Sequence, residues 1–258
     1  MSVIKQTKLI VLSLFIDMAT YVMSDLHGCK KEFDKMLKRI NLQDNDTLYI
    51  LGDICDRGLN NVGLLLELAQ MPNLKLIYGN HDVWLNRYLD AIIDYKHKVA
   101  MLPDTRDLQI WLGYNGGQKT LDELLKCDDR DLAIIKVFLS KQEYYHSLTL
   151  NQQKYLFVHA GIGDYQETQD DSSVLLPKLS VDELVWTNPG LDDNPFDDDI
   201  LVVGHRPTIL YGKQFEGRMI LREKMYHIDC GCVYGMNLGC LRLDDLKEFY
   251  VKSTFESE

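Results

Sequence analysis

Five short polar segments of the sequence each follow an apolar run and carry groups able to hold a metal ion. They are Asp25-Leu26-His27-Gly28, Gly52-Asp53-Ile54-Cys55-Asp56-Arg57-Gly58, Gly79-Asn80-His81-Asp82, Val158-His159-Ala160-Gly161 and Val203-Gly204-His205-Arg206-Pro207. In an extended Asp-x-His segment the two side chains point to the same side, because a strand repeats every two residues. Asp53 is a lone carboxylate at a strand end, with two oxygens to share between two cations. Asn80 offers a neutral amide oxygen. Hard oxygens mixed with imidazole nitrogens suit Mn, Fe or Zn better than Ca or Mg. Any one of these residues alone reads as a cap or a satisfied polar group. Asp25, His27, Asp53, Asn80, His159 and His205 taken together read as the ligand set of a two-metal site.

Positioning such groups requires strands that end side by side. Thr20–Ser24, Thr47–Leu51 and Leu74–Tyr78 read as short buried strands, each running into a polar loop. Between them, Lys30–Ile40 places Phe33, Met36, Leu37 and Ile40 at helical spacing, and Val62–Gln70 is a second helix. Strand, polar loop and helix in alternation predict an α/β fold with its site at the C-terminal strand ends. Residues of about 83–143 read as a helical insertion, with Trp84, Tyr88 and Trp111 as core or lid residues. Strand character returns at Tyr144–Leu150, Tyr155–Val158, Ile200–Val203, Met219–Ile228 and Cys240–Leu243. Residues 18–258 read as one domain. Residues 1–17 read as an N-terminal extension, because the apolar run Leu9–Ile16 is far shorter than the ~20 residues that span a bilayer and no cleavage site follows it.

The 258 residues carry a formal charge of −11 and are 46% apolar. An acidic balance disfavours nucleic-acid polymers as partners, and no segment predicts a membrane partner. The charge is uneven: Asp164 to Asp199 holds eleven acids and the single base Lys178. That block reads as a solvated loop or as an acidic rim favouring phosphopeptides with basic flanks. Six scattered cysteines without a C-x-x-C pair predict reduced thiols and a cytoplasmic setting.

The ordered motifs resemble the calcineurin-like metallophosphoesterase superfamily. The second motif is similar to the phosphoprotein phosphatase branch of bacterial and lambda-phage type. The resemblance spans roughly residues 19–245. It implies a β-sandwich flanked by helices, and a cofactor of two divalent cations, Mn2+ first, with Fe or Zn as alternatives. It implies Asp25, His27 and Asp53 on one cation, with Asp53, Asn80, His159 and His205 on the other. How His205 divides between them stays open. His81 is implied as the general acid, Asp56 as its partner, and Arg57 as a group that offsets phosphate charge, with Asn80 also near the substrate. A water shared by the two cations is implied as the attacking group.

The resemblance therefore implies a serine/threonine protein phosphatase acting on phosphomonoesters of a phosphorylated protein. The alternative within the same fold is a dinucleoside polyphosphate hydrolase acting on a small phosphoester such as diadenosine tetraphosphate. Such hydrolases usually lack the Asp before the Arg of the second motif, so Asp56 favours the phosphatase. One departure points the other way. Bacterial phosphatases carry a phosphate-gripping arginine shortly after a Trp, whereas Trp186 is followed by Thr187-Asn188-Pro189. Arg206 is the nearest substitute, with Arg218 and Arg222 as further options, and Asn188 offers one neutral hydrogen bond. A binding protein on a decayed phosphoesterase fold is disfavoured because all six ligands are present. His227 reads as core packing, and His97 and His146 as structural or surface residues. Cys55 lies inside the second motif and suggests sensitivity to oxidation.

Overall fold

The computed structural model describes residues 18–163 and 171–255. The N-terminal extension predicted over 1–17 and the first part of the acidic block lie outside these residues. The chain opens with β1 (Thr20–Met23), α1 (Lys30–Ile40), β2 (Thr47–Leu51), α2 (Asn61–Leu68), β3 (Leu74–Ile77) and α3 (Asn80–Lys96). Next come α4 (Arg106–Tyr114), α5 (Gly117–Leu124) and α6 (Asp129–Leu139). The remainder is β4 (Tyr145–Leu150), β5 (Gln153–Val158), α7 (Ser172–Leu175), α8 (Val181–Val185), β6 (Asp199–Val203), β7 (Ile220–Leu221), β8 (Met225–His227), β9 (Asn237–Arg242) and β10 (Lys247–Lys252).

The strands form two five-stranded sheets, ordered β10-β9-β1-β2-β3 and β4-β5-β6-β8-β7. β1, β2 and β3 are mutually parallel, and so are β5, β6 and β8. Period-two alternation explains how the sheets stack. Val22, Tyr49 and Leu51 of the first sheet meet Tyr155, Phe157, Ile200 and Val202 of the second in a shared core. Their neighbours Tyr21, Met23, Leu48 and Ile50 turn outward onto α1–α6. On the far side, Leu156, Val158, Leu201 and Val203 pack against α7 and α8. The fold is thus the β-sandwich flanked by helices that the motifs implied.

One predicted strand differs, and one strand was not predicted. Met219–Ile228 is a tight antiparallel hairpin, because the polar Arg222-Glu223-Lys224 interrupts the apolar run and Arg222 N–H bonds Met225 O at 2.9 Å. β10 escaped the sequence reading because it is an edge strand, exposed over Lys247 and Glu248 and paired only with β9. The C-terminal segment beyond it is fastened to α1, where the buried Glu32 carboxylate accepts the Thr254 N–H at 2.8 Å.

Candidate metal centre

All five motifs leave the C-terminal ends of parallel strands of the two sheets, so their loops converge on one edge of the sandwich. The loops after β1 and β2 are zipped by main-chain bonds: Asp25 N–H to Gly52 O, His27 N–H to Asp53 O and Gly28 N–H to Ile54 O, at 2.7–3.1 Å. The second sheet's loops are tied to each other by Gly204 N–H to His159 O (2.7 Å) and join the first sheet's through His205 N–H to Asp25 Oδ2 (2.9 Å). Gly52 permits this approach. It lies at φ +76°, and a Cβ there would press on Gly79 main chain and the His159 ring.

Backbone strain concentrates at the same edge. Eleven non-glycine residues among those described have positive φ, and six of them are Asp25, His27, Asp53, Asp56, Arg57 and His205. Such conformations cost of order 1–3 kcal/mol each and persist where the surroundings enforce them for function.

Two donor groups share the Asp53 carboxylate. On one side Asp53 lies with His159 and His205, and on the other with His27 and His81, the candidate ligand atoms of each group lying within 4.8 Å of one another. His159 Nε2 is 3.1 Å from Asn80 Oδ1, 3.2 Å from His205 Nδ1 and 3.5 Å from Asp53 Oδ2. His205 Nδ1 is also 3.1 Å from Asn80 Oδ1, so the geometry gathers His205 with Asn80 and His159. The Nδ1 of His27 faces Cys55 O at 2.8 Å and that of His159 faces Leu51 O at 2.7 Å, which leaves each Nε2 to the centre. Asp25 is buried and its Oδ1 has no hydrogen-bond partner.

The second motif adds a charged relay. His81 Nδ1 lies 2.6 Å from Asp56 Oδ2. Arg57 directs one guanidinium nitrogen to His27 Nε2 (2.7 Å) and the other to His81 Nε2 (2.8 Å). The wholly buried Asp56 also accepts Trp111 Nε1–H at 2.6 Å and Thr120 Oγ1–H at 2.5 Å. Lys119 Nζ donates to Arg57 O at 3.0 Å, and Gly116, at φ +82°, leaves no room for a Cβ against Arg57.

The charges explain each titration. Burial and the adjacent Arg57 hold His27 well below the usual imidazole range. Burial, with His159 next, brings His205 down to about 3. Burial pushes His159 down too, but the Asp53 carboxylate overrides it and lifts the ring to about 10. Burial works to raise Asp53, yet His159, His81 and His27 hold it well below the usual carboxylate range. A carboxylate ringed by imidazoles, with an unpaired buried Asp25 oxygen beside it, is a donor set suited to divalent cations.

Several residues important here escaped the sequence reading. Asp82 is buried, and its carboxylate accepts the N–H groups of Asp53, Ile54 and Gly79 at 2.8–3.0 Å, which fixes the loop carrying Asp53. Trp111 and Thr120 hold Asp56. The available signal was Asp56 itself, since a buried carboxylate needs donors. Trp84, Tyr88 and Trp111 are core residues.

The substitutes for the missing arginine are placed elsewhere. Arg206 stacks its guanidinium over the Tyr211 ring at 4.8 Å, beside His227 rather than in the histidine cluster. Arg222 is committed to Asp192 through two bonds of 2.9 and 2.7 Å, Arg218 is exposed, and Asn188 turns back to Trp186 O. Within the described part of the acidic block, Lys224 pairs with Asp197 and Lys154 with Asp199. These acids face cations, so the described part of the block is not a uniformly acidic rim. His227 is buried against Tyr211, His97 pairs with Asp129 at 2.9 Å, and His146 packs on Tyr49. Cys55 is sealed, and burial with Asp56 next pushes its thiol well up, so the oxidation expected of it has no thiolate to start from.

The family model for calcineurin-like phosphoesterase matches residues 18–235. The chain belongs to the calcineurin-like phosphoesterases. It is therefore a metal-dependent phosphoester hydrolase of a family that works with a pair of divalent cations. Curated relatives include the symmetrical bis(5'-nucleosyl)-tetraphosphatase of Proteus mirabilis strain HI4320, 28% identical over 90% of this chain and 97% of that protein. The enzyme of the same name from Yersinia pestis strain Pestoides F is 26% identical over 93% and 94% of the two chains. Among solved structures, a candidate diadenosine tetraphosphatase superposes with TM-score 0.63 at 16% identity, covering 93% of this chain and 95% of that one. A serine/threonine phosphatase from Saccharomyces cerevisiae superposes with TM-score 0.52 at 14% identity, covering 95% and 82%. At these identities the superpositions speak for the shared fold. Among the described residues no helix is long and apolar enough to cross a membrane.

Proposed function

We propose that this phosphoesterase hydrolyses dinucleoside tetraphosphates symmetrically, releasing two nucleoside diphosphates. The observation that carries the reading is likeness over nearly the full length of both chains to symmetrical bis(5'-nucleosyl)-tetraphosphatases. The lack of a phosphate-gripping arginine after Trp186 fits it, and so the alternative substrate class displaces the phosphoprotein. Asp25, His27 and Asp53 would hold one cation, and Asp53, Asn80, His159 and His205 the other. When bound, such a pair polarises phosphoryl oxygens and acidifies water.

The remaining chemistry falls to the second and third motifs. Arg57 presents a fork of donors fixed at its base by Lys119 and Gly116. Its guanidinium now serves two imidazole nitrogens, and one of them, His27 Nε2, is a candidate ligand atom. Turned from these onto the substrate, the same fork matches two phosphate oxygens and offsets their charge. His81 receives its orientation from Asp56, whose carboxylate accepts at Nδ1 and turns Nε2 toward the centre. With Arg57 turned away, Nε2 is free to carry a second proton and pass it to the leaving oxygen. Water adds to phosphorus, the central P–O–P bridge breaks, and the bridging oxygen departs with the second nucleoside diphosphate.

A second reading, phosphomonoester hydrolysis on a phosphoprotein, is favoured by the same Asp56–His81 pair, because a serine alkoxide needs a proton far more than a phosphate leaving group does. Protein loaded with Mn2+ and offered diadenosine tetraphosphate, a phosphoserine peptide and p-nitrophenyl phosphate separates the two. The expected order of kcat/KM puts the dinucleotide first. Faster turnover of the phosphopeptide would return the function to protein dephosphorylation.

A further inference from the structure

Three aromatic side chains stand exposed among the described large hydrophobic residues: Tyr114, Trp186 and Tyr234. Two of them border the candidate centre from different sides. Trp186, 38% exposed, has its ring 6.0 Å from that of His205. Tyr234, 49% exposed, carries the Arg57 guanidinium at 5.7 Å from its ring. One therefore adjoins the His159–His205 side, and the other the His27–His81 side.

Both rings are held from behind. Trp186 packs edge-on against Trp84 at 4.8 Å, and Trp84 in turn packs against His81 at 5.4 Å. Trp84 is itself pinned by its Nε1–H to Asp107 at 2.8 Å. Tyr234 ends a short 3-10 turn (Cys232–Tyr234) set between Gly231 and Gly235, whose φ values of +71° and +80° fix the path of the chain. Rigid aromatic surfaces left open to water lose little entropy when a flat group stacks on them.

We infer that Trp186 and Tyr234 are stacking platforms for the two nucleobases of the substrate, one on each side of the scissile bridge. This rests on the proposed function. In a dinucleoside tetraphosphate the central bridge is separated from each base by two phosphates and a ribose, so symmetrical cleavage calls for a base-holding surface on either side of the cations. Stacking also suits an acidic chain, since it adds affinity without further positive charge while Arg222, Lys224 and Lys154 are already facing acids. Base–aromatic stacking is tolerant of base identity, so guanine and uracil dinucleotides are accepted as well.

The test has an equilibrium arm and a kinetic arm. ADP titrated into the protein quenches tryptophan fluorescence in the wild type and fails to do so in Trp186→Leu, because Trp84 and Trp111 are buried and report little. In steady state, Trp186→Leu and Tyr234→Leu each lower the ratio of kcat/KM for diadenosine tetraphosphate over inorganic tetraphosphate by roughly five- to hundredfold, chiefly through KM. Trp186→Phe and Tyr234→Phe restore most of the ratio, which a merely structural role would not require of a ring. If the wild type cleaves the dinucleotide symmetrically while both Leu variants keep its ratio and its quenching, the platforms are refuted and the function stands. If the wild type does not turn over the dinucleotide, function and platforms fall together.

Discussion

The two imidazole pairs of the centre are held by different parts of the fold. His159 and His205 hang from adjacent parallel strands and are fixed largely through main chain: Leu51 O holds one ring, and the loop of the other is tied by Gly204 N–H to His159 O and by His205 N–H to the Asp25 carboxylate. His27 is also held by main chain, through Cys55 O and Asp53 O, but it converges with His81 on Arg57, and His81 and Arg57 are steadied by side chains and turns from the helices α4 and α5. Asp56 is held there by Trp111 and Thr120, 55 and 64 residues along the chain. Main-chain support comes with the sheet and is insensitive to side-chain identity. Side-chain support is a set of single points, each removable by one substitution. The helical insertion is thus a buttress of the charged relay.

Replacing the residue common to both sides gives the largest effect. Asp53→Asn should release bound cation, seen by metal analysis after dialysis, and cost more turnover than the roughly 10–100-fold typical of residues behind metal ligands. Full cation occupancy in that variant would remove Asp53 from the shared position. Next comes the relay. His81→Ala should cut turnover of alkyl phosphomonoesters by roughly 10²–10⁴-fold, and turnover of diadenosine tetraphosphate much less, because a phosphate leaving group needs the donated proton far less than an alkoxide does. Equal losses on both substrates would argue against proton donation. Trp111→Phe then isolates the buttress. It removes one donor from a buried carboxylate and should lower unfolding free energy by about 1.5–3 kcal/mol in a urea titration. An unchanged midpoint together with unchanged turnover would mean that the two sides do not differ in kind. Smallest of all is Arg222→Ala, which breaks an exposed ion pair and should change stability by less than about 1 kcal/mol. A larger loss would give the acidic segment a structural part that its exposed ion pairs do not suggest.

The same contrast explains what could be read from the sequence. The strands and loops bearing Asp25, His27, Asp53, Asn80, His159 and His205 were legible, because short apolar runs ending in Gly, Asp and His carry both the fold and the candidate ligands in consecutive residues. The pairing of Asp56 with His81 was legible through the motif. The grip of Trp111 and Thr120 on Asp56 was not, since helical periodicity marks Trp111 only as apolar and gives no hint that its N–H is needed. Asp82 was hidden for a similar reason: one residue after His81, it reads as a helix-start acid, while its carboxylate actually binds the neighbouring loop. The hairpin at Ile220–His227 was lost because two short strands with a polar turn resemble one long strand. Arg206 was chosen by nearness in sequence, and its stacking on Tyr211 depends on a 3-10 turn that apolar spacing does not announce.

The products formed from diadenosine tetraphosphate test the central claim most directly. Hydrolysis by the Mn2+-loaded protein in water enriched with oxygen-18, followed by chromatography and mass spectrometry, should yield ADP alone, two molecules per substrate, with one labelled oxygen in one of the two. AMP with ATP, or no cleavage by a protein that dephosphorylates a phosphoserine peptide, would contradict it.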